Sequence, residues 1–189
     1  MNTFSYLMVL VSVIIGLGLA HVLEGIARLV SQPETQRFYW IHGVWTVFMF
    51  QYLILFWWFE FQLAGVDTWR FEHFTLIILY AVMLYVLVVL LYPRTADFDG
   101  DYRSMYYRRC AWFMGALIVT NVIDILDTLA KGQQHLEGLG WNYAVNSIVV
   151  TVLALACMRW KAPWLHGATA VIALGWQVQI TLSYYGTIS

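Results

Sequence analysis

The chain has 189 residues, of which 61% are hydrophobic and only 11% are charged, and its formal net charge is -1. Soluble globular proteins carry about 25% charged residues, so this composition excludes that class and predicts an integral membrane protein. The charge balance gives no support for nucleic-acid binding, which needs a basic surface. No polar stretch is long enough for a second domain, and we expect a single transmembrane domain over residues 1–189.

Six apolar segments follow one another along the chain. They lie at about 4–29, 38–60, 73–92, 109–130, 142–160 and 165–185. An α-helix of about 20 residues crosses the hydrocarbon core of a bilayer, and continuous rather than alternating apolar runs exclude barrel strands. The sequence therefore predicts an all-α integral membrane fold, a bundle of six transmembrane helices.

The basic residues predict the orientation of this bundle. Eight of the ten Lys and Arg residues lie around the first, third and fifth connections, and the other two, Arg70 and Lys131, lie in the second and fourth. Because cytoplasmic connections carry the excess of Lys and Arg, we expect both termini outside. Cys110 and Cys157 then lie near cytoplasmic helix ends, where a disulfide is disfavoured, and we interpret them as packing residues.

The first predicted helix carries a polar face within "GLGLAHVLEGIARLV" at 16–30. Gly18, His21, Glu24, Gly25 and Arg28 share one sector of about 120°. Glycines permit close helix approach, so these polar groups face a neighbouring helix rather than lipid. For Glu24 and Arg28 the alternative to a functional role is an ion pair across one turn. For His21 the alternative to a ligand or proton-relay role is an interhelical hydrogen bond.

The fourth predicted helix presents an equivalent polar sector, formed by Asn121, Asp124, Asp127 and Thr128. No Lys or Arg lies within one helical turn of Asp124. Two neighbouring carboxylates without a cation favour proton exchange near neutral pH, so we interpret Asp124 as a candidate proton-exchanging acid. The alternative is a carboxylate at a helix end that is hydrogen-bonded to Asn142 or Asn146.

The two halves of the chain resemble each other in their polar positions. "HVLE" at 21–24 aligns with "NVID" at 121–124, "YWIHGV" at 39–44 aligns with "YAVNSI" at 143–148, and the third spans align more weakly. Because each half holds three spans, such a repeat is inverted in the membrane, as in many transporters. The sequence thus suggests two inverted three-helix repeats over 1–93 and 104–189, against the alternative of chance resemblance between apolar helices.

Further polar residues lie inside the predicted spans: His42, Gln51, Gln177 and Gln179. They either connect the two polar faces by a polar path or form ordinary interhelical hydrogen bonds. His21 and His42 lie on adjacent helices and also leave a b-type haem open as a cofactor, although helical rise separates their backbones by roughly 7 Å in depth. No metal-ligand, phosphate-loop or nucleophile motif is present, which disfavours an enzyme.

The run "GLGLAHVLEGIARL", followed by "YWIHGVW" and "FWWFEF", resembles a group of small bacterial inner-membrane proteins. That group shares a glycine-spaced first span and a Tyr-Trp-x-His-x-x-Trp second span. The resemblance covers about the first third of the chain. It implies a multi-pass protein of the bacterial inner membrane and transfers no activity.

Three hypotheses for the function follow from these features. The first is a transporter or channel for a small solute or ion, coupled to protons through Asp124, Asn121 and Asp127 on the outer side, with His21 and Glu24 on the inner side. The second is a non-transporting subunit or scaffold in a homo-oligomer or larger membrane complex. The third is a redox subunit that binds haem or quinone.

Overall fold

The computed structural model describes residues 3–61, 71–92, 98, 100–130 and 133–185. These residues form six α-helices and contain no β-strand. The helices are α1 (Thr3–Ser31), α2 (Trp40–Phe61), α3 (Phe71–Leu91), α4 (Tyr102–Ala130), α5 (Gln133–Arg159) and α6 (Pro163–Tyr185). Arg70, Arg94 and Lys131, which contribute to the predicted orientation, lie outside the described residues.

Five of these helices are long and apolar enough to cross a membrane. The segments are Phe4–Ser31, Trp40–Glu60, Phe71–Leu91, Tyr102–Leu129 and Gly140–Arg159. Such helices indicate a multi-pass membrane protein, because helices satisfy their own backbone hydrogen bonds in lipid. Helix α6 has 23 residues but is not among the five segments, since His166, Gln177 and Gln179 lower its mean hydropathy. That α6 crosses the membrane, and that both termini lie on the outer side, stay predictions.

Two helix boundaries differ from those predicted. Helix α4 begins at Tyr102 rather than near residue 109, because Asp101 caps it. The Oδ1 atom of Asp101 accepts a 3.0 Å hydrogen bond from the amide of Arg103, as an N-cap aspartate does. The polar run "YRSMYYRR" at 102–109 is therefore helical. Helix α5 extends back to Gln133 across a kink at Gly140, where φ is 67°.

Helix α2 is the most central element, because it packs against α1, α3, α4 and α6. The other interfaces join α1 with α3, α3 with α4, α4 with α5, and α5 with α6. Within the described helices the two halves pack differently, since α3 packs along α4 but α6 has no comparable interface with α1. The inverted repeat stays a prediction.

The first and third connections are hydrogen-bonded to each other. The amide of Arg37 donates to the carbonyl of Gly100 at 2.7 Å, and the amide of Tyr102 donates to the carbonyl of Arg37 at 3.4 Å. Gly100 has a φ of 82°, which only glycine adopts readily, and a side chain there would overlap the carbonyl of Thr35. We call this end of the bundle, which contains Arg37 and Gly100, the basic end, and the opposite end the far end.

Candidate functional site

Asp124 on α4 belongs to a chain of hydrogen bonds that joins four helices. Its Oδ1 accepts a 2.7 Å hydrogen bond from the hydroxyl of Tyr80 on α3, and its Oδ2 accepts a 2.8 Å hydrogen bond from the hydroxyl of Tyr143 on α5. The hydroxyl of Tyr52 on α2 lies 2.8 Å from that of Tyr80, and Thr128 donates to the hydroxyl of Tyr143 at 3.1 Å. We call these five residues the tyrosine–carboxylate chain.

The direction of each hydrogen bond in this chain follows from the number of hydroxyl hydrogens. Tyr80 has one, which it gives to Asp124, so Tyr52 is the donor between the two tyrosines. Hydrogen bonds from hydroxyls to a carboxylate are short and strong. The ring of Tyr80 is buried 4.7 Å from that of Phe56. Packing therefore holds Tyr80, one of the hydroxyl donors to Asp124, in place.

The two other predicted residues of the outer site have different surroundings. The Nδ2 atom of Asn121 donates to the carbonyl of Ser147 and to the hydroxyl of Thr151, both at 2.9 Å. These bonds tie α4 to α5. Asp127 is buried one turn beyond Asp124. Asn121 is thus engaged with α5, whereas Asp124 is the carboxylate at the centre of the hydrogen-bonded chain.

Two histidines converge on the end of α3 at the basic end. The Nε2 atom of His21 lies 2.6 Å from the carbonyl oxygen of Tyr92, and the Nε2 atom of His42 lies 3.0 Å from that of Leu91. Because a carbonyl oxygen only accepts, Nε2 carries the hydrogen on both rings. The last carbonyls of a helix have no partner within the helix. His21 and His42 therefore cap α3 from α1 and α2.

Glu24 and Gly25 of the first-helix motif lie close to His21 and to its partner Tyr92, respectively. The Oε2 atom of Glu24 lies 3.9 Å from Nδ1 of His21, and the side chain of His21 is 1% exposed whereas that of Glu24 is 51% exposed. Gly25 packs against the ring of Tyr92, which a Cβ atom would overlap. The ion pair of Glu24 with Arg28 stays a prediction.

The haem alternative does not fit this geometry. Two histidines that bind one haem each direct a ring nitrogen to the iron, but here carbonyls of α3 hold Nε2 of both His21 and His42. The ring of His42 is also enclosed, with its centroid 4.8 Å from that of Tyr92 and 4.7 Å from that of Tyr102. We derive no step through a haem.

A third buried histidine, His166, also binds a backbone carbonyl at a helix end, which was not predicted from the sequence. Its Nε2 donates to the carbonyl of Trp160, beyond the end of α5, at 3.1 Å. Its Nδ1 therefore accepts, from the hydroxyl of Tyr106 at 3.0 Å, and that hydroxyl accepts from the indole of Trp45 at 3.3 Å. Cys110 lies 3.7 Å from the same Nδ1. This network joins α2, α4 and α6.

An apolar layer separates the tyrosine–carboxylate chain from the histidines at the basic end. The fully buried side chains of this layer include Met49, Leu84, Leu87, Val88 and Met114. On α3 the layer occupies the interval between Tyr80 and Tyr92, a rise of about 18 Å. A small cavity of ≈ 10 Å³, lined in part by His42, Tyr106 and Arg109, lies on the basic side and is large enough for about one water molecule.

The three glutamines lie on α2 and α6, and one of them joins these two helices. Gln51 donates to the hydroxyl of Thr181 on α6 at 2.9 Å. Gln177 is buried on α6 and Gln179 is exposed. The polar path that these residues suggest between the two clusters stays a prediction.

Sequence reasoning missed the partners of Asp124. Tyr143 has the position of an interfacial anchor in the sequence, and Tyr80 is recognisable only as a tyrosine unusually deep in its span. Depth is the available signal, because a hydroxyl far from the interface needs a partner in the protein. Hydropathy does not reveal which helix supplies it.

No protein-family model, curated protein or solved structure matches this chain. Within the described ranges, no group of three or more His, Cys, Asp or Glu side chains is arranged to hold a metal ion. The functional inference therefore depends on the geometry of the chain's own residues.

Proposed function

We propose that this chain is a multi-pass protein of the bacterial inner membrane that transports a small solute or ion together with protons, and that Asp124 is the proton-exchanging carboxylate. The observation that carries the proposal is the pair of hydroxyls, Tyr80 and Tyr143, that donate to the two oxygens of Asp124. Carboxylates inside membrane helices are costly and mark proton and ion pathways.

Protonation of Asp124 changes hydrogen bonds to two other helices at once. A proton that binds to Oδ1 takes the place of the hydrogen donated by Tyr80, so the hydroxyl of Tyr80 turns to another acceptor. The oxygen of Tyr52 is the neighbouring acceptor, and the hydrogen of Tyr52 must then turn away. One proton on α4 thereby alters contacts with α2 and α3, which shifts the balance between arrangements of the helices.

The apolar layer between the two polar regions supports transport. A transporter must not open to both sides at once, and its sites are exposed alternately. The fully buried Met49, Leu84 and Met114 lie where such a barrier is needed, between Asp124 and the histidines of the basic end. Movement of α3 relative to α4 changes both the layer and the Tyr80–Asp124 contact.

The test is proton uptake by liposomes that contain the purified chain and an internal pH dye, under an imposed membrane potential and with a panel of ions and small metabolites. We expect uptake by the wild-type protein and loss of it in Asp124→Asn. Glu72→Gln, which removes an exposed carboxylate from α3, is the matched control and keeps uptake. Equal uptake by wild type and Asp124→Asn contradicts the proposal.

A non-transporting membrane subunit is the second candidate. The observation in its favour is that Asn121 and His42 both bind backbone carbonyls of neighbouring helices, as residues that only hold helices together do. This candidate predicts that the chain purifies with a larger assembly and that Asp124→Asn preserves both that assembly and its activity.

A further inference from the structure

We infer that His21 and Glu24 form the proton-binding site of the basic end, and that Nδ1 of His21 is the atom that takes the proton. The inference rests on the proposed function, because it supplies the site on the other side of the apolar layer from Asp124. It also separates His21 from His42, which caps the same helix end.

The first observation is the state of the two nitrogens of His21. Its Nε2 donates to the carbonyl of Tyr92 at 2.6 Å, so in the neutral ring Nδ1 carries a lone pair. Nδ1 is buried and has no hydrogen-bond partner in the part of the chain that the structure describes. A buried acceptor without a donor destabilises the fold. Such an atom is rare in a folded protein and requires an explanation.

The second observation is the position of Glu24. Its Oε2 is 3.9 Å from Nδ1 of His21, and its side chain is half exposed while that of His21 is buried. Glu24 therefore reaches from the surface of the bundle to the imidazole of His21. A proton from water at the basic end passes to Nδ1, and the imidazolium then donates from Nε2 to Tyr92 and from Nδ1 to Glu24. The carboxylate balances the new positive charge, and a small rotation of its side chain closes the gap.

The other ionisable groups around His21 have different partners. On α3 the hydroxyl of Tyr92 is 2.8 Å from that of Thr46, and on α2 Nε2 of His42 is held by the carbonyl of Leu91. On α1 itself Arg28 follows Glu24 by one turn and is a cation. Among the described groups on the helices packed against α1, Glu24 is thus the anion positioned to stabilise a charge on His21.

His42 provides the internal comparison. Its ring packs against the rings of Tyr92 and Tyr102, and among the described residues no carboxylate lies as close to it as Glu24 lies to His21. Both histidines cap α3, so a purely structural role predicts that both rings stay neutral while they hold the carbonyls of Tyr92 and Leu91. A proton-binding role predicts that His21 alone takes a proton.

The experiment is nitrogen NMR of the full-length chain labelled with ¹⁵N-histidine in detergent micelles, with resonances assigned by His21→Gln and His42→Gln. The glutamine amide keeps a donor for the α3 carbonyl, which favours retention of the fold. As the pH falls from about 8 to about 5, we expect Nδ1 of His21 to pass from an unprotonated to a protonated nitrogen. In Glu24→Gln we expect a smaller fraction of Nδ1 to be protonated at the low end of this range, because the neighbouring anion is gone, while the His42 resonances are unchanged.

Two results overturn the inference: Nδ1 of His21 stays unprotonated over the whole range, or its protonation is the same in Glu24→Gln. The NMR measurement does not depend on transport. If His21 takes a proton in a way that depends on Glu24, but Asp124→Asn has no effect on proton uptake, the proton site is retained and the proposed transport is contradicted. Uptake that needs Asp124, without titration of His21, retains transport and removes the inference.

Discussion

The hydroxyl of Tyr80 donates a 2.7 Å hydrogen bond to Oδ1 of Asp124, across the interface of α3 and α4 and over 44 residues of sequence. The same interface continues to the basic end, where α3 finishes against His21 and His42. Helix α3 therefore contacts both polar regions. A shift of α3 changes the surroundings of Asp124 and of His21 together.

Replacement of Tyr80 by Phe should destabilise the bundle without a change in packing volume. The variant removes the donor to Asp124 and the acceptor for Tyr52, so we expect the free energy of unfolding to fall by about 1 to 2 kcal/mol. Unfolding in mixed micelles of mild detergent and dodecyl sulfate measures it. Tyr85→Phe on the same helix is the control. A Tyr80→Phe variant as stable as this control contradicts the described hydrogen bonds.

The glycines of the first helix should differ sharply in their tolerance of a methyl group. A Cβ atom at Gly25 overlaps the ring of Tyr92, whereas the space around Gly16 is open. We expect Gly25→Ala to lower the free energy of unfolding by about 1 to 3 kcal/mol and Gly16→Ala to leave it unchanged or slightly higher. Thermal unfolding in detergent separates the two variants. Equal effects at both positions argue against the close approach of α1 to the end of α3.

The first and third connections should be accessible from the same side of the membrane. Arg37 and Gly100 are hydrogen-bonded, so exposed positions on both connections face one compartment. Cys110 and Cys157 are buried, which suits labelling of single introduced cysteines with an impermeant thiol reagent. In intact cells we expect Glu34→Cys and Arg103→Cys to be protected and Asn142→Cys, at the far end, to be labelled. Labelling of Glu34→Cys but not Arg103→Cys excludes the described contact.

Helix positions were largely predictable from the sequence, because a span needs a continuous apolar run and every such run became a helix. The start of α4 was not predictable from hydropathy. Asp101 caps the helix at the amide of Arg103, so the helix begins within polar residues that precede the apolar run. The burial of Tyr106 has the same origin. An interfacial tyrosine and a tyrosine in a polar network have similar positions in the sequence.

The polar residues of the candidate site were identified from the sequence, but their partners were not. His21 and Asp124 are conspicuous because they interrupt apolar helices. That His21 contacts Tyr92 and Asp124 contacts Tyr80 depends on how helices rotate and stagger against each other. In a membrane helix with apolar residues on every side, composition leaves that rotation undetermined, and the small polar contacts themselves help to fix it.

The most direct test of the proposed function compares Asp124→Asn with Asp124→Glu in the liposome assay. Asn keeps the size and an oxygen acceptor for Tyr80 but takes no proton, whereas Glu keeps a carboxylate. We predict that potential-driven proton uptake falls to the rate of protein-free liposomes in Asp124→Asn and is retained, at a reduced rate, in Asp124→Glu. Uptake by Asp124→Asn at the wild-type rate would contradict the assignment of Asp124 as the proton-exchanging residue.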